Sequence, residues 1–107
     1  MNWIKLNDIN QLKDIQQQSN QRPQVIFKHS TRCSISSMVL KRLEREGRPE
    51  NMDFYFLDLI KYRDISNKVS DLFNVNHESP QILMIKNGGC VYDESHYGIT
   101  MDALTDN

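Results

Sequence analysis

Gln24-Val25-Ile26-Phe27-Lys28-His29-Ser30-Thr31-Arg32-Cys33-Ser34-Ile35-Ser36 is the stretch on which the fold turns. Its first five residues are β-branched and aromatic, short and apolar through the middle, which predicts a buried strand ending at His29-Ser30-Thr31. From Ser34 to Glu46 the period changes: Ile35, Met38, Val39 and Leu43 fall on one helical face, and Gly47-Arg48-Pro49 stops the helix with a glycine and a following proline. Cys33 therefore stands between the end of a strand and the start of a helix.

Upstream, Trp3 to Leu6 reads as a short extended start. Asn7 or Asp8 is positioned to cap a helix in which Ile9, Leu12, Lys13 and Ile15 recur between polar residues, running to about Ser19. Downstream, Met52 to Asp58 predicts a strand, and Tyr62 to Phe73, with Ile65, Val69 and Leu72 at helical intervals, predicts a third helix. Gln81 to Lys86 is apolar and extended, Asn87-Gly88-Gly89 signals a hairpin turn, Cys90-Val91-Tyr92 returns to end near Asp93, and a short helix near Thr100 to Leu104 follows. The order β-α-β-α-β-α-β-β-α predicts an α/β protein with a central mixed sheet. Strands joined through single helices are expected to pair in parallel by right-handed crossovers, with helices on both faces and the last hairpin as an antiparallel edge. Ligands in such sheets bind beyond the carboxyl ends of the parallel strands, where Lys28 to Cys33 leave the second strand. With no internal repeat and no linker, residues 1–107 are expected to form a single domain.

The 107 residues carry 13 Lys and Arg against 14 Asp and Glu, a formal net charge of -1, and no long block of one sign. That disfavours a nucleic-acid or anionic-membrane surface. The longest apolar runs, Phe54 to Leu57 and Ile82 to Ile85, fall far short of the roughly 20 residues a membrane span needs. Met1 to Asp8 lacks the basic-then-apolar pattern of a secretory signal, so a cytoplasmic location is expected. The two cysteines, Cys33 and Cys90, are too few for a disulfide scaffold, and in a reducing compartment they are expected to be free thiols.

A helix start favours an anion, and a thiolate is one. Lys28, His29 and Arg32 lie close in sequence and are expected to raise the thiolate content of Cys33. Ser36 follows one helical turn later, placed to donate a hydrogen bond to the Cys33 sulfur. Cys90 belongs about 20 Å away, beyond the turn at the far end of strand four at ~3.3 Å per residue, and reads as a structural residue that does not bridge to Cys33. Past Asp93 the chain is expected to bring Ser95, His96 and Tyr97 back to the reactive end, and as substrate contacts His96 and His29 rank above His77. No C-x-x-C or H-x-x-x-H pair is present, which argues against a metal site. Trp3, Phe54, Phe56 and Phe73 read as core residues.

The element order, the cysteine at the start of the second helix and the stretch Glu78-Ser79-Pro80-Gln81-Ile82-Leu83-Met84-Ile85-Lys86-Asn87-Gly88 together resemble the thioredoxin fold, in which a cis proline precedes strand four and faces the active-site cysteine. More narrowly, Lys28 to Ser36 with Ser95-His96 and Ile99-Thr100 resembles the YtxJ-type monothiol bacilliredoxins of Gram-positive bacteria that make bacillithiol. The resemblance implies a thiol–disulfide oxidoreductase that removes bacillithiol from mixed disulfides on client proteins. Cys33 would be the nucleophile, and Ser36 would stand where dithiol relatives keep a resolving cysteine. Thr31, Arg32, Ser79, Pro80, His96 and His29 would border the substrate. Ser34 departs from the proline most often expected after the cysteine. No bound cofactor or metal is implied: bacillithiol enters as a thiol co-substrate, and a second small thiol or a reductase regenerates Cys33. The alternative is a non-catalytic redox sensor or binding module of the same fold, in which Cys33 is modified without turnover.

Overall fold

A computed structural model describes residues 1–107. The chain runs β1 (Ile4–Lys5), α1 (Gln11–Gln18), β2 (Gln24–His29), α2 (Ser34–Glu46), β3 (Asp53–Asp58), α3 (Arg63–Phe73), β4 (Gln81–Lys86), β5 (Gly89–Ser95), a 3-10 turn at His96–Gly98 and α4 (Met101–Thr105). The five strands form one mixed sheet in the order β1-β3-β2-β4-β5. β3 pairs in parallel with both β1 and β2, whereas β4 is antiparallel to β2 and to β5.

The parallel rule thus fails at one crossover. β3 and β4 are joined through α3, yet they neither pair nor run in the same direction. The reason is where the chain is delivered: after α3, residues 74–80 bring it to the carboxyl end of β2, so that Gln81 pairs with Lys28 and β4 runs back toward Gln24. Only β1 to β2 and β2 to β3 behave as parallel crossovers.

Alternation along the strands divides the interior in two. On one face Ile26, Leu83 and Ile85 pack with Leu12 and Ile15 of α1 and with Ile65, Val69 and Phe73 of α3. On the other, Val25, Phe27, Ile82 and Met84 pack with Val39 and Leu43 of α2 and with Met101 and Leu104 of α4. Phe54 is fully buried and Phe73 nearly so, as expected of core rings; Trp3, stacked on Phe27 at 5.7 Å between centroids and edge-on to Phe56, is half-buried like Phe56, and both pack against the second cluster from its rim.

Three helical positions expected on inner faces, Ile9, Met38 and Leu72, are exposed. Ile9 lies outside α1 altogether. The Asp8 carboxylate accepts the Asn10 N–H, and the Gln11 side chain accepts from Asn7 and Asp8, a local polar turn that delays the helix to Gln11. The hairpin turn has the expected chemistry: Asn87 and Gly88 both take positive φ, 51° and 82°, between the paired residues Lys86 and Gly89. β5 runs past Asp93 to Ser95 and carries a bulge opposite Met84 and Ile85 that leaves Val91 unpaired. No helix is long and apolar enough to cross a membrane.

Candidate active site

Cys33 is the N-cap residue of α2, in extended conformation at φ -112° and ψ 118°, and it is half-buried. Its backbone N–H donates to the Ser30 carbonyl at 3.2 Å, which closes the turn leaving β2, and its carbonyl accepts from Ser37 N–H at 3.2 Å, which starts the helix. Cys33 thus heads α2 at the end with unpaired N–H groups, and its side chain makes no capping hydrogen bond to them. Thr31 and Arg32 form the exposed turn before it.

Ser36 is fully buried and does not reach the sulfur as its spacing suggested. Its Oγ lies 2.6 Å from His29 Nδ1 and accepts the Ser30 N–H at 3.1 Å. The hydroxyl and the imidazole share one proton in a direction set by the His29 tautomer, and no hydrogen bond joins Ser36 to Cys33. His29, 5% exposed, is wedged beside Phe27 and Phe56, its ring centroid 5.3 Å from that of Phe56. Burial lowers its pKa against the opposing pull of the Asp58 and Glu44 carboxylates, so the ring is neutral. His29 is therefore a buried brace beneath the Cys33 turn and not an exposed contact residue.

Lys28 also departs from expectation. Because 28 and 29 point to opposite faces of the pleat, its side chain leaves the α2 side and runs under α3. There the buried ammonium donates to the Ser66 carbonyl at 3.2 Å and to Ser70 Oγ at 3.0 Å, and lies 3.2 Å from His77 Nδ1. Of the three cations near Cys33 in sequence, only the exposed Arg32 remains beside it.

The Ser79–Pro80 bond is cis and Pro80 is buried. β2 and β4 pair as far as Lys28 with Gln81, so Pro80 continues the strand on the side of His29. The Pro80 carbonyl accepts from His96 N–H at 3.0 Å, and the His96 ring lies 3.5 Å from a Glu78 carboxylate oxygen. His96 thus returns to the Cys33 end as expected, exposed and with a left-handed φ of 57°. Ser79 Oγ is buried without a hydrogen-bond partner. His77, ranked lowest of the three histidines on sequence grounds, is the one joined to Lys28; the signal for that pair was a lone lysine inside an otherwise apolar strand.

Cys90 pairs with Ile85, which itself pairs with Gln24 at the start of β2. Cys33 lies beyond the other end of that six-residue strand, a separation on the order of 20 Å at ~3.3 Å per residue and too far for a disulfide. Burial pushes the Cys90 thiol up, and its Sγ donates to the Tyr92 carbonyl at 3.3 Å. A cleft of about 350 Å³ opens at the carboxyl ends of β1 and β3, walled by Lys5, Asn7, Asp58 and Tyr62 among others, and none of Cys33, Ser36, His29 or Pro80 lines it. No three His, Cys, Asp or Glu side chains are grouped to hold a metal ion.

Comparison with solved structures returns the same architecture. A thioredoxin-fold protein assigned as an oxidoreductase superposes with a TM-score of 0.79 at 30% identity, over 96% of this chain and 90% of that one. Thioredoxin of Malassezia sympodialis superposes at 0.73 with 16% identity, over 98% and 86%. Mitochondrial thioredoxin 3 of Saccharomyces cerevisiae superposes at 0.69 with 19% identity, over 97% and 91%. The family model that describes the monothiol bacilliredoxin BrxC matches residues 4–104. A thioredoxin-fold sheet with one cysteine heading α2 is a thiol redox scaffold, and this chain belongs to the monothiol bacilliredoxin BrxC family.

Proposed function

We propose that the chain is a cytoplasmic monothiol oxidoreductase that removes bacillithiol from protein mixed disulfides through Cys33. The observation that carries this reading is the position of Cys33 alone at the head of α2, with Cys90 at the opposite end of the sheet. Membership of the bacilliredoxin family supports bacillithiol as the small thiol.

The Cys33 thiolate attacks the bacillithiol sulfur of the mixed disulfide. A Cys33–bacillithiol disulfide forms, the original S–S bond breaks, and the client leaves as a thiolate that takes up a proton. A second bacillithiol thiolate then attacks the cap, which yields bacillithiol disulfide and regenerates the Cys33 thiolate; a reductase acting on the capped protein is the other route. Thr31 and Arg32 border the incoming disulfide from the exposed turn. The Pro80 carbonyl already serves His96, so an extended client pairs with the backbone of Ser79. Ser36 supports this chemistry through His29 and the turn rather than by contact with sulfur.

The test is intact-protein mass spectrometry of wild type, Cys33→Ser and Cys90→Ser, each substoichiometric to a bacillithiol-capped model protein with free bacillithiol supplied. Wild type and Cys90→Ser are expected to clear the cap over many turnovers, and Cys33→Ser to clear none. One stoichiometric capping of Cys33 without turnover would replace the enzyme with a sensor.

A further inference from the structure

Lys28 is completely buried, yet its ammonium faces no carboxylate within ion-pair distance. A desolvated cation without a counter-ion is costly, and an apolar side chain of similar length would fill the space at less cost. What the ammonium has instead is three neutral acceptors, one for each N–H bond. Two, the Ser66 carbonyl and Ser70 Oγ, belong to α3; the third, His77 Nδ1, belongs to the segment 74–80 that ends at Pro80. A neighbour on β4 acts on the same segment: Gln81, paired directly with Lys28, donates from Nε2 to the Asn76 carbonyl at 2.9 Å. On the far side Glu78 and the Pro80 carbonyl are held by His96.

We infer that Lys28 is a positioning residue that clamps the Pro80 segment to β2 and α3 through His77, and so sets the surface on which a client docks. The inference rests on the proposed function. The clamp requires His77 Nδ1 to be an unprotonated acceptor, with the ring proton on Nε2. The charged groups around that ring are the Lys28 ammonium, Arg63 at the start of α3 and Glu78 next in the chain, with Asp71 across a polar cleft of about 320 Å³ that His77 helps to line. An effect of Lys28 through its charge on Cys33 is not what the geometry favours, since the ammonium is directed to α3 on one side of the sheet whereas Cys33 caps α2, which packs on the other.

The test uses the full chain as wild type, Lys28→Met, and His77→Phe, the last at an exposed ring whose replacement spares the core. Imidazole ¹⁵N shifts at pH 7 are expected to show His77 of wild type as the Nε2–H tautomer, and Lys28→Met to shift it toward a mixture. Amide exchange at Val75, whose N–H donates to the Ser70 carbonyl where the segment leaves α3, is expected to speed up by about tenfold or more in both variants, the worth of a hydrogen bond to a charged donor, while Ile26 and Phe27 are unchanged. KM for a bacillithiol-capped protein is expected to rise at least about threefold with kcat and Cys33 alkylation by iodoacetamide unchanged. A wild-type His77 with its proton on Nδ1, unchanged exchange in His77→Phe, or a change in Cys33 alkylation with KM constant would overturn the clamp. A wild type without turnover would remove the proposed function, and the tautomer and exchange measurements would still decide whether the clamp exists.

Discussion

Ser36 Oγ lies 2.6 Å from His29 Nδ1, and this bond ties the first turn of α2 to the last residue of β2. The same oxygen accepts from Ser30 N–H, so one hydroxyl fixes both sides of the loop that presents Cys33.

Ser36→Ala strands two partners at once, a buried imidazole nitrogen and a backbone N–H. Loss of about 2–3 kcal/mol of unfolding free energy is expected in urea titrations, because each orphaned buried group costs about 1–3 kcal/mol. A loss below about 0.5 kcal/mol would show that water replaces the hydroxyl at no cost.

Lys28 makes stability depend on alkaline pH. Burial lowers it from 10.5 to about 8, so between those values the unfolded chain holds the proton that the folded chain has released. Stability from this group therefore rises with pH across that window. The buried thiol of Cys90 and the raised hydroxyls of Tyr55 and Tyr92 act in the opposite sense, so the term is read as wild type minus Lys28→Met. That difference is expected to move in favour of wild type by about 2 kcal/mol between pH 7 and pH 9.5, at about 1.4 kcal/mol for each tenfold change in proton affinity. A flat difference would place the ammonium in contact with water.

Cys90 is half-buried against the α1 and α3 side of the core, with its thiol raised by burial and donating to Tyr92. At pH 8 it is expected to react with iodoacetamide at least about tenfold more slowly than a cysteine in an unfolded peptide. Peptide mapping gives the rate, and parity with the peptide would mean that β5 opens readily.

Thr100 caps α4: its Oγ1 accepts from Ala103 N–H at 3.2 Å, and the helix behind it buries Met101 and Leu104. Thr100→Ala is expected to cost about 1 kcal/mol, seen as a lower urea midpoint with an unchanged slope. Thr100→Ser, which keeps the acceptor, should recover most of it.

The sequence made the local units plain and the long-range delivery of β4 obscure. Apolar runs with β-branched residues marked β2 and β4, the Ser34–Glu46 period marked α2 to the residue, and Asn87-Gly88 carried the hairpin, all because each signal is contained within a few neighbouring residues. The direction of β4 depends on where residues 74–80 deposit the chain, and nothing in the period of α3 states that. The site divided in the same way. Cys33 could be placed from its strand-to-helix junction, and His96 from the length of the returning hairpin. The partners of Ser36 and Lys28 could not, since adjacency along the chain suggests closeness to Cys33 whereas the pleat sends Lys28 and His29 to opposite faces. A lysine inside a strand read as buried was the one visible sign that a polar network lay beneath it.

The sheet has unlike rims. β1 contributes only Ile4 and Lys5, too short a ladder for a foreign strand to grip, and β5 is interrupted by its bulge and bears the acidic pair Asp93 and Glu94 beyond the exposed Val91. Neither border is a good template for unwanted strand addition, and the fold thereby guards itself against self-association along the two directions in which an open sheet is most vulnerable.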